Sequence, residues 1–132
     1  MSQVIRDIVL IDDKPYGLPQ IQAAIPPGRR RAYRVLYFST WTDYRASIEG
    51  RPRVVLLDYC LDLDGLYGNE IVHEIEADVI IGFSSALGGS EAIVEAAREH
   101  DAWDQVPELY AVQKRRDDKA NRPLAALFGR IL

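Results

Sequence analysis

Five short apolar runs, dense in β-branched residues, constrain this chain more than any other feature. They are "DIVLI" (7–11), "YRVLYF" (33–38), "RVVLL" (53–57), "DVIIGF" (78–83) and "LYAVQ" (109–113). Their hydrophobicity is continuous rather than alternating, which suits strands buried on both faces of a parallel sheet. Parallel neighbours need crossover connections, and segments of helical character lie between the runs. "PYGLPQIQAAI" puts Leu18, Ile21 and Ile25 on one face, and "TDYRASIEG" is short and stopped by Gly50. "GNEIVHEIEA" carries Ile71, Val72 and Ile75, and "SEAIVEAAREH" offers Ser90 as an N-cap with acids in its first turn. In the tail "NRPLAALFGRIL", Asn121 is a candidate cap and Pro123 is tolerated in the first turn. Five β–α alternations predict one doubly wound α/β domain over residues 1–132.

Bulk properties remove several function classes. A net charge of −4 gives no overall pull toward DNA or anionic lipid. No apolar run approaches the ~20 residues of a membrane helix, and "MSQVIRDIVLIDD" lacks signal-peptide organisation. The single cysteine, Cys60, cannot form an internal disulfide, which suits a cytoplasmic protein.

In doubly wound sheets ligands bind outside the carboxyl ends of the strands, so the residues that follow each run are the informative ones. The first run ends in Asp12 and Asp13, the third in Asp58, the fourth in Ser84 and Ser85, and the fifth in Lys114; the second ends in "STW", which brings no charge. Carboxylates, a hydroxyl and a lysine are thus expected on one sheet edge. At ~4 Å and an effective dielectric of ~20, each carboxylate pair costs about 4 kcal/mol, so compensating positive charge is required. Lys114 supplies one charge and a hard divalent cation such as Mg²⁺ would supply two. An aspartate beside a metal, a lysine and a hydroxyl is equipped to accept a phosphoryl group.

With these residues in place the chain resembles the receiver domain of two-component response regulators. The resemblance rests on "LIDD" (10–13), "VVLLD" (54–58), "GFSSA" (82–86), "AVQK" (111–114) and the five-unit pattern, and it covers essentially the whole chain. It implies a flavodoxin-like three-layer sandwich with a five-stranded parallel sheet of order 2-1-3-4-5. It also implies that Asp58 is the phosphoacceptor, and that Asp12, Asp13, Asp58 and the backbone carbonyl of Cys60 hold Mg²⁺. Ser85 becomes the switch hydroxyl, with Ser84 the alternative if that strand is shifted by one, and Lys114 becomes the phosphate contact. The implied function is a stand-alone, non-enzymatic receiver phosphorylated by a histidine kinase or phosphotransfer protein, with no output domain, that signals through a downstream protein, as a homodimer or by relay. Neither nucleic acid nor membrane is an expected partner. Cys60 and Leu87, two positions past acceptor and hydroxyl, cannot orient an attacking water, which implies a long-lived phosphoform.

Several positions depart from the receiver pattern. Asp62 stands where receivers carry a proline, and Arg115 replaces the proline that habitually follows the lysine. Tyr110 precedes Lys114 by four positions rather than three, which leaves Ala111 in the slot of the switch aromatic. The connections before "GNEIV" and through "EHDAWDQVPE" are long. These departures motivate a second reading, an interaction module that switches without phosphate. "LDLDG" motivates a third, a small Mg²⁺ phosphatase using Asp62 and Asp64, although only Asp58 follows an apolar run. Otherwise Asp62 and Asp64 read as turn residues. His73 and His100 are expected on helical surfaces, "GRRRAYR" as a solvated approach to the second strand, and Trp103 and Tyr110 in the core or at a partner surface.

Overall fold

The computed structural model describes residues 4–100, 103–116 and 120–132. All five apolar runs are strands: β1 (Arg6–Ile11), β2 (Tyr33–Phe38), β3 (Val54–Leu57), β6 (Val79–Ser84) and β7 (Glu108–Gln113). Between β3 and β6 two further short strands, β4 (Cys60–Leu61) and β5 (Leu66–Tyr67), form an antiparallel hairpin of their own. The main sheet has the order β2-β1-β3-β6-β7 and is parallel throughout. In terms of the five long runs this is the expected 2-1-3-4-5.

Because side chains alternate across a strand, each buried strand feeds two cores. Ile8, Leu10, Val54, Leu56, Val79 and Ile81 face one layer, which contains Ile21 of α1 (Leu18–Ala24) and Leu124, Leu127 and Phe128 of α5 (Arg122–Ile131). Val9, Ile11, Val55, Leu57 and Ile80 face the other. There they meet Trp41 and Tyr44 of α2 (Trp41–Ser47), Ile71 of α3 (Gly68–Ile71), and Ile93 and Ala97 of α4 (Gly89–Arg98). The continuous hydrophobicity of β1 and β3 is therefore the signature of a sheet covered on both sides.

Two sequence expectations are corrected. The segment "GNEIVHEIEA" is not one helix: α3 is a single turn, followed by a 3₁₀ turn over Val72–Glu74. Ile71, Val72 and Ile75 are nonetheless buried, so their apolar spacing reflects packing rather than a long helix. Ser90 does not cap α4, which begins instead from Gly88. The Ser90 hydroxyl is buried between strands, accepting from the Ser84 amide at 2.9 Å and donating to the Val112 carbonyl at 2.9 Å. Asn121 does cap α5, its side chain accepting from the Leu124 amide at 3.1 Å.

Candidate functional site

Backbone pairing continues one residue beyond the strands, and this aligns the site. The Asp12 amide donates to the Phe38 carbonyl (3.1 Å), the Asp58 amide to Ile11 (3.0 Å) and the Lys114 amide to Ser84 (3.0 Å). Asp12, Asp58 and Lys114 therefore stand side by side at the carboxyl edge of the sheet, all buried. One carboxylate oxygen from each of Asp12, Asp13 and Asp58 lies within 4.8 Å of the others. The Lys114 ammonium donates to Asp12 and stands 3.5 Å from an Asp58 oxygen.

The electrostatics follow from this crowding. Burial pushes the Asp12 carboxyl up to about 7; Lys114 opposes the shift, and the Asp58 charge adds to it. Burial pulls the Lys114 ammonium down, but Asp12 and Asp58 outweigh it, and the net shift is upward. One lysine thus leaves the three carboxylates under-neutralised. Asp13 is half-exposed and, among the described residues, no donor reaches its carboxylate. Three converging hard oxygen donors fit a hard divalent cation.

Hairpin β4–β5 closes one wall. The Gly68 amide donates to the Tyr59 carbonyl at 2.6 Å, which makes Cys60 and Tyr67 a non-hydrogen-bonded pair, with the Cys60 carbonyl outside the hairpin's own ladder. Gly68 lies so close to the Asp58 carbonyl that a Cβ would collide with it. Gly65, at φ +67°, makes the hairpin turn.

The two other loop aspartates lie apart from the acidic cluster. Asp62 is exposed, and its carbonyl accepts from Gly65. Asp64 ties down the start of α2, beside its Thr40 cap, its carboxylate accepting the Trp41 amide at 2.5 Å and the Thr42 hydroxyl at 3.0 Å. A phosphatase built on this pair has no geometric support.

On the opposite wall Ser84 is buried under Gly89, with its hydroxyl accepting from Ala86, while Ser85 is half-exposed. Ser85 and Lys114 both line a cavity of about 560 Å³. Two residues absent from the sequence-derived set also enter. Tyr16 places its hydroxyl 3.1 Å from that of Ser85, and its ring centroid lies 4.6 Å from the Lys114 ammonium. Gln20, fully buried on α1, bonds to both backbone groups of Arg115. No local signal marked either, because each acts on a partner distant in sequence. Away from the site, the His73 and His100 rings pack at 4.8 Å between centroids with a 54° tilt, and Trp103 donates its indole N–H to the Ile75 carbonyl at 3.1 Å.

No family model matches the chain, and no curated protein matches it. Among solved structures it is similar over 97% of its length to the response regulator DrrB, a Thermotoga maritima OmpR/PhoB homolog, with a TM-score of 0.62 and 20% identity. It spans 51% of that chain, about half its length. A fusion carrying a yeast Spc42 trimeric coiled-coil segment matches 97% of this chain and 81% of its own, with a TM-score of 0.57 and 16% identity. The chain has the doubly wound, flavodoxin-like α/β fold, and in particular the fold of a response regulator receiver.

Proposed function

We propose that this chain is a receiver that accepts a phosphoryl group on Asp58 from a histidine kinase or phosphotransfer protein and passes the signal to a protein partner or along a relay. The observation that carries the reading is the Lys114 ammonium reaching both Asp12 and Asp58 at the carboxyl edge of a parallel sheet. A carboxylate oxygen of Asp58 attacks phosphorus in line, forming the acyl phosphate as the bond from phosphorus to the donor nitrogen breaks. Lys114 moves its charge onto a phosphoryl oxygen, and Ser85 donates its hydroxyl to another. Mg²⁺, held by Asp12, Asp13, Asp58 and the Cys60 carbonyl, would neutralise the carboxylates and the incoming phosphoryl oxygens. The acyl phosphate then biases a two-state arrangement through Ser85 and β7. With Cys60 two positions past the acceptor and the fully exposed Leu87 two past the hydroxyl, the phosphoform is expected to be long-lived.

Acetyl phosphate with Mg²⁺ tests the reading. The expected result is one added phosphoryl mass, lost in Asp58→Asn, and stable in Mg²⁺ buffer after the donor is removed. An unmodified protein, with no spectral response to beryllofluoride, would favour the phosphate-independent interaction module. That second reading draws on Ala111, which pairs with Gly82 and places no ring beside Ser85.

A further inference from the structure

The lysine-bearing turn contains no proline, and every peptide bond described is trans. Arg115 and Arg116 are exposed, so their side chains do not bury the turn. Three successive residues are nonetheless fixed through their backbones. The Gln113 carbonyl accepts from the Asn121 side chain at 2.9 Å, and the Lys114 amide donates to Ser84. Arg115 is gripped at both backbone groups by the Gln20 amide: its N–H donates to Gln20 Oε1 at 3.1 Å, and its carbonyl accepts from Gln20 Nε2. Asn121 Nδ2 also donates to Gln20 Oε1 at 2.9 Å, while the Asn121 oxygen caps α5. Gln20 and Asn121 are buried and their polar atoms are satisfied, and a buried, fully bonded amide network is rigid.

We propose that Gln20 is a positioning residue for Lys114: its amide, buttressed by Asn121, locks the turn after β7 and so aims the ammonium at Asp12 and Asp58. A lysine on four flexible methylenes keeps one direction only if its backbone is fixed on both sides. The β6–β7 ladder fixes one side, and Gln20 fixes the other. The catalytic consequence rests on the phosphoryl-acceptor reading, but the positional claim does not.

The test separates the two. Gln20→Leu keeps the volume and removes the amide; Asn121→Ser keeps a capping oxygen and removes the arms to Gln20 and Gln113. Each protein is pulsed with N-hydroxysuccinimidyl acetate, and acetylation of Lys114 is read by peptide mass spectrometry against exposed Lys14. Both variants should raise the Lys114-to-Lys14 ratio about tenfold, the effect of losing roughly one net buried hydrogen bond of orientation. Phosphorylation by acetyl phosphate should slow by a similar factor at unchanged half-saturating Mg²⁺, a split that general loosening of the fold does not produce. Lys114 as protected in folded variants as in the wild type would overturn the proposal. A wild type that takes no phosphoryl group removes the parent reading and leaves the labelling ratio to decide the positional claim. Should neither variant fold, hydrogen exchange of the unmodified protein decides: the Arg115 amide must be protected, and fast exchange sinks the idea.

Discussion

Asp13→Asn should stabilise the protein when no divalent cation is present. Its carboxylate stands within 4.8 Å of oxygens from both Asp12 and Asp58. At that separation and an effective dielectric of about 20, each repulsion is worth about 3.5 kcal/mol. Asp13 is half-exposed, and solvent screening reduces the sum of two such terms considerably. No donor among the described residues is forfeited by the change, so a net gain of about 1–3 kcal/mol remains, or roughly 3–10 °C in Tm for a domain of this size. Thermal unfolding followed by circular dichroism in chelator measures it, at about pH 8 so that Asp12, pushed up to about 7, is mostly ionised. The repulsion is electrostatic, so the gain should shrink in about 1 M salt, where the screening length falls to about 3 Å. With Mg²⁺ at a hundredfold excess over Kd the wild type gains about 2.7 kcal/mol and the variant less, so the variant's advantage should shrink by that difference. A variant no more stable than the wild type in chelator would show that the three carboxylates are not in mutual conflict, and the argument for a cation would lose its energetic basis.

Asp64→Ala should cost about 1–2 kcal/mol in urea denaturation, because it removes the acceptor of the Trp41 amide and the Thr42 hydroxyl while the Thr40 cap of α2 remains, and should leave Mg²⁺ affinity unchanged. Loss of Mg²⁺ binding would return Asp64 to the site. Burial pushes the Asp78 carboxyl up, but hydrogen bonds from Arg51 and Arg6 outweigh this and hold it below its ordinary 3.8. A depressed folded-state value means a stabilisation complete above 3.8 and lost as pH falls through the lower folded value. Asp78→Asn should therefore destabilise at neutral pH by about 1–3 kcal/mol, and the difference from wild type should vanish in acid. A difference that persists in strong acid would contradict that assignment. Gly68→Ala drives a methyl into the Asp58 carbonyl and should cost about 1–3 kcal/mol, with a weakened Mg²⁺ response. A silent substitution, read by the same denaturation and titration, would mean the hairpin does not brace the acceptor.

The fold was legible because its determinants are local. A strand stretch buried on both faces must be free of charge, and β1 from Ile8 onward, all of β3 and β6 as far as Phe83 meet this, so their runs locate the strands to within a residue. α3 departs from its sequence pattern for the same reason in reverse. Ile71, Val72 and Ile75 are apolar because a core lies beneath them, and that core accepts one helical turn followed by a 3₁₀ turn as readily as a long helix. Burial is encoded in such a pattern, but hydrogen-bond geometry is not. Ser90 shows the difference. Its side chain had a helix start to serve, but the strand amides beside it offered a buried partner, and an unsatisfied buried amide costs more than an uncapped exposed one.

The site divides along a similar line. Asp12, Asp13, Asp58 and Lys114 were readable because each directly follows an apolar run, and a parallel sheet puts the ends of its runs on one edge. Roles that depend on a partner distant in the chain left no such mark. Asp64 reads as one more turn acid until the first turn of α2, 22 residues earlier for Thr42, is seen to bond to its carboxylate. Gln20 reads as an ordinary polar residue on a helix until Arg115, 95 residues later, is seen to need a brace. The two cases share a logic with the departures from the receiver pattern. The loop before α3 and the turn after Lys114 both lack the proline that receivers use there, and at both places a side chain or hairpin supplies the restraint through hydrogen bonds. Proline restrains a turn covalently and is visible in one letter. Gln20 and Asn121 restrain it through five separate hydrogen bonds to the turn, to each other and to α5, and those made by Gln20 depend on the packing of α1 against α5. A restraint of that kind can fail with its helices. Loosening the α1–α5 contact should therefore free Lys114 before it unfolds the sheet, and hydrogen exchange would register this as Arg115 opening at a lower free energy than the β1 amides.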